Sequence, residues 1–376
     1  MADRDIIELR HSLHKNPEIS NCEYNTAVRI DAFMKKLNPD DIISLGSTGR
    51  AYIYDSGVQG RTVMFRAELD AVHADDTCNK DYCSVNKGVA HSCGHDGHMA
   101  IVAAVAKKIS AHRPQKGRVI LLFQPAEEME QGAFDIVNDI NFTKIEPDYI
   151  FAIHNIPGYK KGLVIVKSGN FSAASKGMTI KLFGKTSHIA KPENGVSPAN
   201  AVSDIIKQLD NVTYNNSRFN DSVMLTITHI NMGEVTFNAL PGYADIMVTM
   251  CAYDNSDMKA LTKEAESIVY DITKRDNLSY SISYNEEIPA TINSNTCTNM
   301  VINAAAESNS TVYTPEKPFK WSEDFAYYTE KFSGCMFGIG AGVNQPDLHN
   351  TDYDFPDDII DNGVNMFFNI YKSLNL

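Results

Sequence analysis

The stretch HSCGHDGH, His91 to His98, puts three histidines, a cysteine and an aspartate within eight residues. Thiolate and imidazole together suit zinc, and manganese less obviously. Cys93 and His95 stand two apart, so they do not share one face of a straight helix. They converge from a turn, which Gly94 permits. An apolar helical pattern begins near His98. The donors are therefore expected at a strand–turn–helix junction, on the carboxyl edge of a sheet, where open α/β sheets place their sites. His91, Asp96 and His98 are then candidates to orient the ligands. The plainer alternative is a helix start capped by Asp96 with incidental histidines, and the crowding argues against it.

A second group follows the apolar run in LLFQPAEEMEQGA. Glu127 and Glu128 at a strand end would repel each other if both pointed inward unpaired, and cations remove that cost. One carboxylate then serves as a ligand while its neighbour takes a proton from an activated water. Alone, the pair reads equally as an acidic helix start favoured by the macrodipole. His154 ends the apolar run IFAIH, where a satisfied core histidine is the competing reading. His349 lies in the polar stretch PDLHNTDYDFPDD, where an exposed loop histidine competes. The set carries more weight than its members. Cys93, His95, Glu128, His154 and His349 each follow a predicted strand or lie in a loop beside one. Five ligands exceed one tetrahedral zinc and suit two metals sharing a bridge, with the Cys93 sulfur as the candidate bridge.

The elements that position these residues alternate. DRDIIELRHSLH and EYNTAVRIDAFMKKL have helical apolar spacing and stop before Pro17 and Pro39. RAYIYD and TVMFRAEL are β-prone, GHMAIVAAVAKKI is helical, and GRVILLFQ and DYIFAIH are continuous apolar strands of the kind found in a central parallel sheet. This alternation predicts an α/β domain with a mixed, largely parallel sheet flanked by helices. From about Phe171 the order becomes β-α-β-β-α-β, the ferredoxin-like unit. A small α+β domain over 173–286 is thus expected, inserted into a larger one made of 1–172 and 287–376.

The chain has 376 residues, 43% hydrophobic and 22% charged, with a formal net charge of −13. That charge argues against nucleic acid or an anionic membrane as partner. No stretch approaches the ~20 apolar residues of a bilayer span. The charged N-terminal stretch lacks the apolar core of a signal peptide, which predicts a cytoplasmic protein. Seven irregularly spaced cysteines are no disulfide framework and are expected to be reduced. Cys78 and Cys83 are by themselves too few for a structural zinc site.

The segments LRHSLHKNPEIS, FRAELDAV, HSCGHDGHMA, LFQPAEE, AIHNIP, GKTSHIAKP, GEVTFNALP, SEDFAYY and LHNTDYDFPDD, in this order over residues 9–358, resemble the amidohydrolase branch of a co-catalytic metallopeptidase family. That branch includes aminoacylases, hippurate hydrolases, auxin-conjugate hydrolases and N-acetyldiaminopimelate deacetylases. The resemblance implies a zinc-exopeptidase-like fold and two divalent ions per subunit: zinc or manganese, with nickel or cobalt as further candidates. Cys93 would bridge them, His95, Glu128, His154 and His349 would complete the two sites, and Glu127 would be the general base. The inserted domain would be a lid and the dimerisation surface of a homodimer. His188 of GKTSHIAKP would be the lid histidine that reaches a neighbouring subunit's site, and Asn238 of GEVTFNALP a substrate contact. By itself His188 reads as a surface hairpin histidine. The implied reaction is hydrolysis of the amide bond of N-acyl amino acids. A dipeptidase or carboxypeptidase on the same scaffold is the alternative, and a non-catalytic metal- or ligand-binding homologue is the alternative of another class. The chain departs from its relatives at DAVHADD, where they often have DALPI, at Glu193 after Pro192, and at Asn350-Thr351 after His349. All three departures lie near expected substrate-facing loops.

Overall fold

The computed structural model describes residues 3–214 and 218–374. Among them no helix is long and apolar enough to cross a membrane. Two compact units emerge. The larger comprises the chain up to Phe171, Thr291–Lys317 and the stretch from Glu323 onward; the smaller is Ser172–Ala290 with Pro318–Ser322.

The larger unit is built on an eight-stranded sheet. Its first strands in chain order are β1 (Asp41–Leu45), β2 (Gly49–Asp55), β3 (Thr62–Glu68), β4 (Arg118–Gln124), β5 (Tyr149–Pro157) and β6 (Val164–Ile165). Across the sheet the order is β1-β2-β4-β3-β5, then Ser333–Gly342, β6 and Val312–Tyr313. The strands from β4 through Ser333–Gly342 are parallel. β1 and β2 add an antiparallel edge, and β6 runs antiparallel to Ser333–Gly342. The parallel strands are buried on both faces, which is why β4 reads VILLFQ without alternation. Helices α1 (Arg4–Lys15), α2 (Tyr24–Met34) and α3 (His95–Ala111) join Ile360–Ser373 in burying one face, with Leu9, Leu13, Ile30, Val102, Ala106 and Phe367 among the core residues.

One sequence expectation shifts here. Helix α3 starts at His95 rather than near His98. Its first turn is polar and carries no apolar signal, yet it is buried: Asp96 is held by Arg10 at 3.0 Å and by His14 at 2.8 Å. Burial of an ionic pair, not hydrophobicity, fixes that turn.

The smaller unit is a four-stranded antiparallel sheet, in the order Val223–Met232, Tyr243–Ala252, Ala174–Phe183, Ser279–Ile288. Helices Ala199–Tyr214 and Asn255–Arg275 pack on it, so its connectivity is β-α-β-β-α-β. The buried positions of Tyr243–Ala252 alternate, as a sheet covered on one face requires. Ile180, Leu182, Ile205, Leu209, Ile246, Val248, Leu261 and Val269 form its core. The longer helix is capped by Asp254, whose side chain accepts from Ser256 N.

Candidate metal centre

Each candidate donor in the larger unit sits just past a strand or in a turn beside one. β3 leads into Asp70, β4 into Glu127 and Glu128, and β5 carries His154 near its end. The turn before α3 presents Cys93. Gly94 adopts φ 92°, and a Cβ there would lie 2.5 Å from the Asn155 side chain, so only glycine fits. Ala126 (φ 52°) and His349 (φ 67°) also take the left-handed conformation. Non-glycine residues pay about 1–3 kcal/mol for such backbone, which persists where surroundings over-determine it. Those surroundings are visible: Ala126 N donates to Glu23 at 2.9 Å, and His349 N donates to the Ser92 carbonyl at 2.9 Å. The second bond ties the His349 loop to the Cys93 turn.

The six side chains converge. Cys93 Sγ lies 3.7 Å from His154 Nε2. His95 Nε2 is 3.6 Å from Glu127 Oε2 and 3.7 Å from Glu128 Oε1, and His349 Nε2 is 3.5 Å from that same Glu128 oxygen. Cys93, His95 and His154 have donor atoms within 4.8 Å of one another; so do Cys93, Glu128 and His349. These two triads share only Cys93. Donors around one tetrahedral cation at about 2.0–2.3 Å stand roughly 3.3–3.8 Å apart, so the Cys93–His154 and Glu128–His349 separations match a shared ion within each triad, while His95 lies at a similar range from both glutamates across the centre.

Several observations test whether the residues suit cations. His95 Nε2 and Glu128 Oε1 are buried without a hydrogen-bond partner among the described residues, a costly condition unless something positive sits before them. The tautomers agree. His95 Nδ1 donates to the Asp70 carbonyl at 2.9 Å and His154 Nδ1 to the Asn155 carbonyl at 2.9 Å, leaving each Nε2 lone pair facing inward. Burial drives the His154 pKa down to about 3, helped by His98, so its ring is neutral. Burial would also lower His95, but Asp70, Glu68 and Glu128 outweigh it and hold the ring at about 10, so its Nε2 carries a proton that a cation would have to displace before taking the lone pair. Burial pushes the Cys93 thiol up, reinforced by Glu128 and Glu127. It pushes the Glu127 carboxyl up as well, reinforced by Glu323, Glu128 and Asp324. Thiolate and carboxylates so crowded need positive charge, and a pair of cations supplies it. The donor set fits.

The structure assigns the orienting roles differently from the sequence. Asp70 holds His95 through its carbonyl and accepts from Glu128 N at 2.9 Å and Ser20 at 2.7 Å. His98 pairs instead with Glu68 at 2.7 Å and Asn155 at 2.5 Å. Asp96 turns to Arg10 and His14, and both ring nitrogens of the buried His91 are without a hydrogen-bond partner among the described residues.

Sequence reasoning also missed Glu323, in SEDF, which shares a hydrogen bond with Glu127. Behind it the buried Arg66 ion-pairs with Glu68, with Glu323 at 3.0 Å and with Asp324 at 2.6 Å. Removing one member of such a network strands the others, so Arg66→Met is expected to destabilise the fold by about 3–5 kcal/mol. A urea midpoint equal to that of the unmodified protein would contradict this.

His188 and Asn238 lie in the smaller unit. There Ser187–His188 pairs with Ala239–Leu240, and Ile189 N donates to the Asn238 carbonyl at 3.1 Å, so the two exposed residues are neighbours on one short ribbon.

A mixed sheet whose strand ends gather a cysteine, imidazoles and paired carboxylates has the donors and the spare carboxylate that metal-dependent hydrolysis uses. The chain belongs to peptidase family M20/M25/M40, whose model matches residues 64–373. A hippurate hydrolase of Campylobacter jejuni is 28% identical over 355 residues, covering 94% of this chain and 92% of its own. An N-acetyl-L-cysteine deacetylase of Bacillus subtilis is 29% identical over 344 residues, covering 90% and 81%. In fold, the chain is similar to a dinuclear metal binding peptidase from the M20 family of Bacillus subtilis, with TM-score 0.85, 24% identity and coverage of 97% and 96%.

Proposed function

We propose that this protein hydrolyses the amide bond of N-acyl amino acids. The observation that carries the reading is the pairing of two donor triads through Cys93 with a second carboxylate, Glu127, beside them. Cys93, His95 and His154 would hold one divalent ion and Cys93, Glu128 and His349 the other; sulfur, nitrogen and oxygen donors favour zinc or manganese, with nickel or cobalt as substitutes. Bound there, the ions would supply an acidified water and polarise the scissile carbonyl. Glu127 takes the proton from the attacking water and returns it to the leaving amine. Glu323 steadies Glu127 through their hydrogen bond, and Arg66 behind it offsets their combined charge.

The family resemblance gives the smaller unit the role of lid, with His188 donating to the oxyanion and Asn238 touching substrate. Loss of one oxyanion donor costs about 3–4 kcal/mol, or roughly 10²–10³ in kcat. His188→Ala should lose that much, and near-normal turnover would remove His188 from the mechanism. We also infer a cytoplasmic homodimer joined through the smaller unit. Val223–Met232, the end strand of its sheet and largely exposed, is the edge that a second copy would extend.

The deciding assay sets N-acetyl and N-benzoyl amino acids beside dipeptides. Turnover of the acyl amino acids is expected to dominate, and a clear preference for dipeptides would replace the reading with a dipeptidase.

A further inference from the structure

A second set of donors lies behind Asp96. The His14 ring gives its Nδ1 side to Asp96 at 2.8 Å, which turns Nε2 toward the loop after β3. There Nε2 meets Asp76 Oδ2 at 3.4 Å and Cys78 Sγ at 4.0 Å, and Cys78 Sγ lies 3.7 Å from the same Asp76 oxygen. The side chains of His14 and Asp76 are 1% and 2% exposed. The loop curls around its own carboxylate: Asp76 accepts from Cys78 N at 2.9 Å and from Ser84 N at 2.7 Å. That curl brings Cys83 to Cys78, and the two are disulfide-bonded, where the sequence led us to expect free thiols.

Two of these three separations, 3.4 and 3.7 Å, fall in the roughly 3.3–3.8 Å range of donors around a tetrahedral zinc, and the third, His14 to Cys78 at 4.0 Å, lies just beyond it, so nitrogen, oxygen and sulfur outline one face of such a tetrahedron. Cys83 supplies a fourth donor adjoining the third. An imidazole with its far nitrogen on a carboxylate, here Asp96, is the usual arrangement of a metal-bound histidine. We propose that, once the Cys78–Cys83 bond is reduced, His14, Asp76, Cys78 and Cys83 hold one thiophilic divalent cation, zinc by its donor set, separate from the pair at Cys93.

The exchange balances. A dithiol reductant gives two electrons and two protons to the disulfide and leaves as its own disulfide. The cation then displaces one proton from each thiol and any proton on His14 Nε2. Four protein ligands leave no open position, so the role is structural. The loop it would fix donates from Thr77 N to the Thr351 carbonyl at 2.7 Å, two residues beyond His349.

The test compares the intact chain in two redox states. Oxidised and dithiothreitol-reduced protein are each equilibrated with zinc, freed of unbound metal by gel filtration and analysed for elemental zinc. Thiol titration in denaturant verifies the state, with two more thiols after reduction. The reduced protein is expected to hold one more zinc per chain than the oxidised protein. It should also hold one more than reduced Cys78→Ser/Cys83→Ser, provided that variant folds by circular dichroism. Equal zinc in the two redox states of the unmodified chain overturns the proposal, whether or not the double variant folds. Loss of the Cys93 pair would lower both totals alike and leave this difference intact, so the two failures are distinguishable.

Discussion

Glu127→Gln is expected to lower kcat by about 10²–10⁴-fold, the range general base catalysis contributes, while both divalent ions stay bound. The two adjacent glutamates face different groups. Glu128 Oε1 stands 3.7 Å from His95 and 3.5 Å from His349, so it sits between two donors. Glu127 reaches toward His95 but engages Glu323 as well, and burial with three neighbouring acids raises its proton affinity. A carboxyl that holds a proton more readily than an ordinary glutamate is suited to pass one on. Glutamine keeps the shape and removes the basicity. Steady-state kinetics with elemental analysis separates the roles: lost metal with the fold intact would show that the two glutamates have been exchanged in our reading.

Cys93→Ala is expected to act on both ions together. Cys93 is the one member common to the two triads, so its loss leaves each with two donors. Metal content should fall from two to below one per chain, and turnover should fall below that of Glu127→Gln. Retention of both ions would show that the sulfur does not bridge. The substitution costs little packing beyond one small side chain at a turn, so circular dichroism should be unchanged.

Much of this site is readable along the chain because strand ends announce themselves. VILLFQ and IFAIH are buried on both faces, and the polar residues that follow them must lie at the sheet edge. What escapes is set by residues remote in sequence. Nothing local in SEDF indicates that Glu323 meets Glu127, because the chain is brought back there by partners remote in sequence: Arg66, which three acids share, and Gln124 and Ala133 N, which donate to Asp324. Asp70 stands within FRAELDAV, but its hold on His95 joins its backbone carbonyl at 2.9 Å to its carboxylate at 3.4 Å, and side-chain patterns reveal neither contact. The antiparallel edge of β1 and β2 likewise depends on pairing order, not on composition. His14 and Asp76 are 62 positions apart by their numbering, so Cys78 and Cys83 looked short of partners.

The most direct measurement is anomalous diffraction from crystals equilibrated with zinc, recorded above and below the zinc absorption edge. Two peaks are expected, each about 2.3 Å from Cys93 Sγ, one completed by His95 and His154 and the other by Glu128 and His349, with Glu127 outside both. A single peak there, or two peaks that do not share the Cys93 sulfur, would contradict that arrangement.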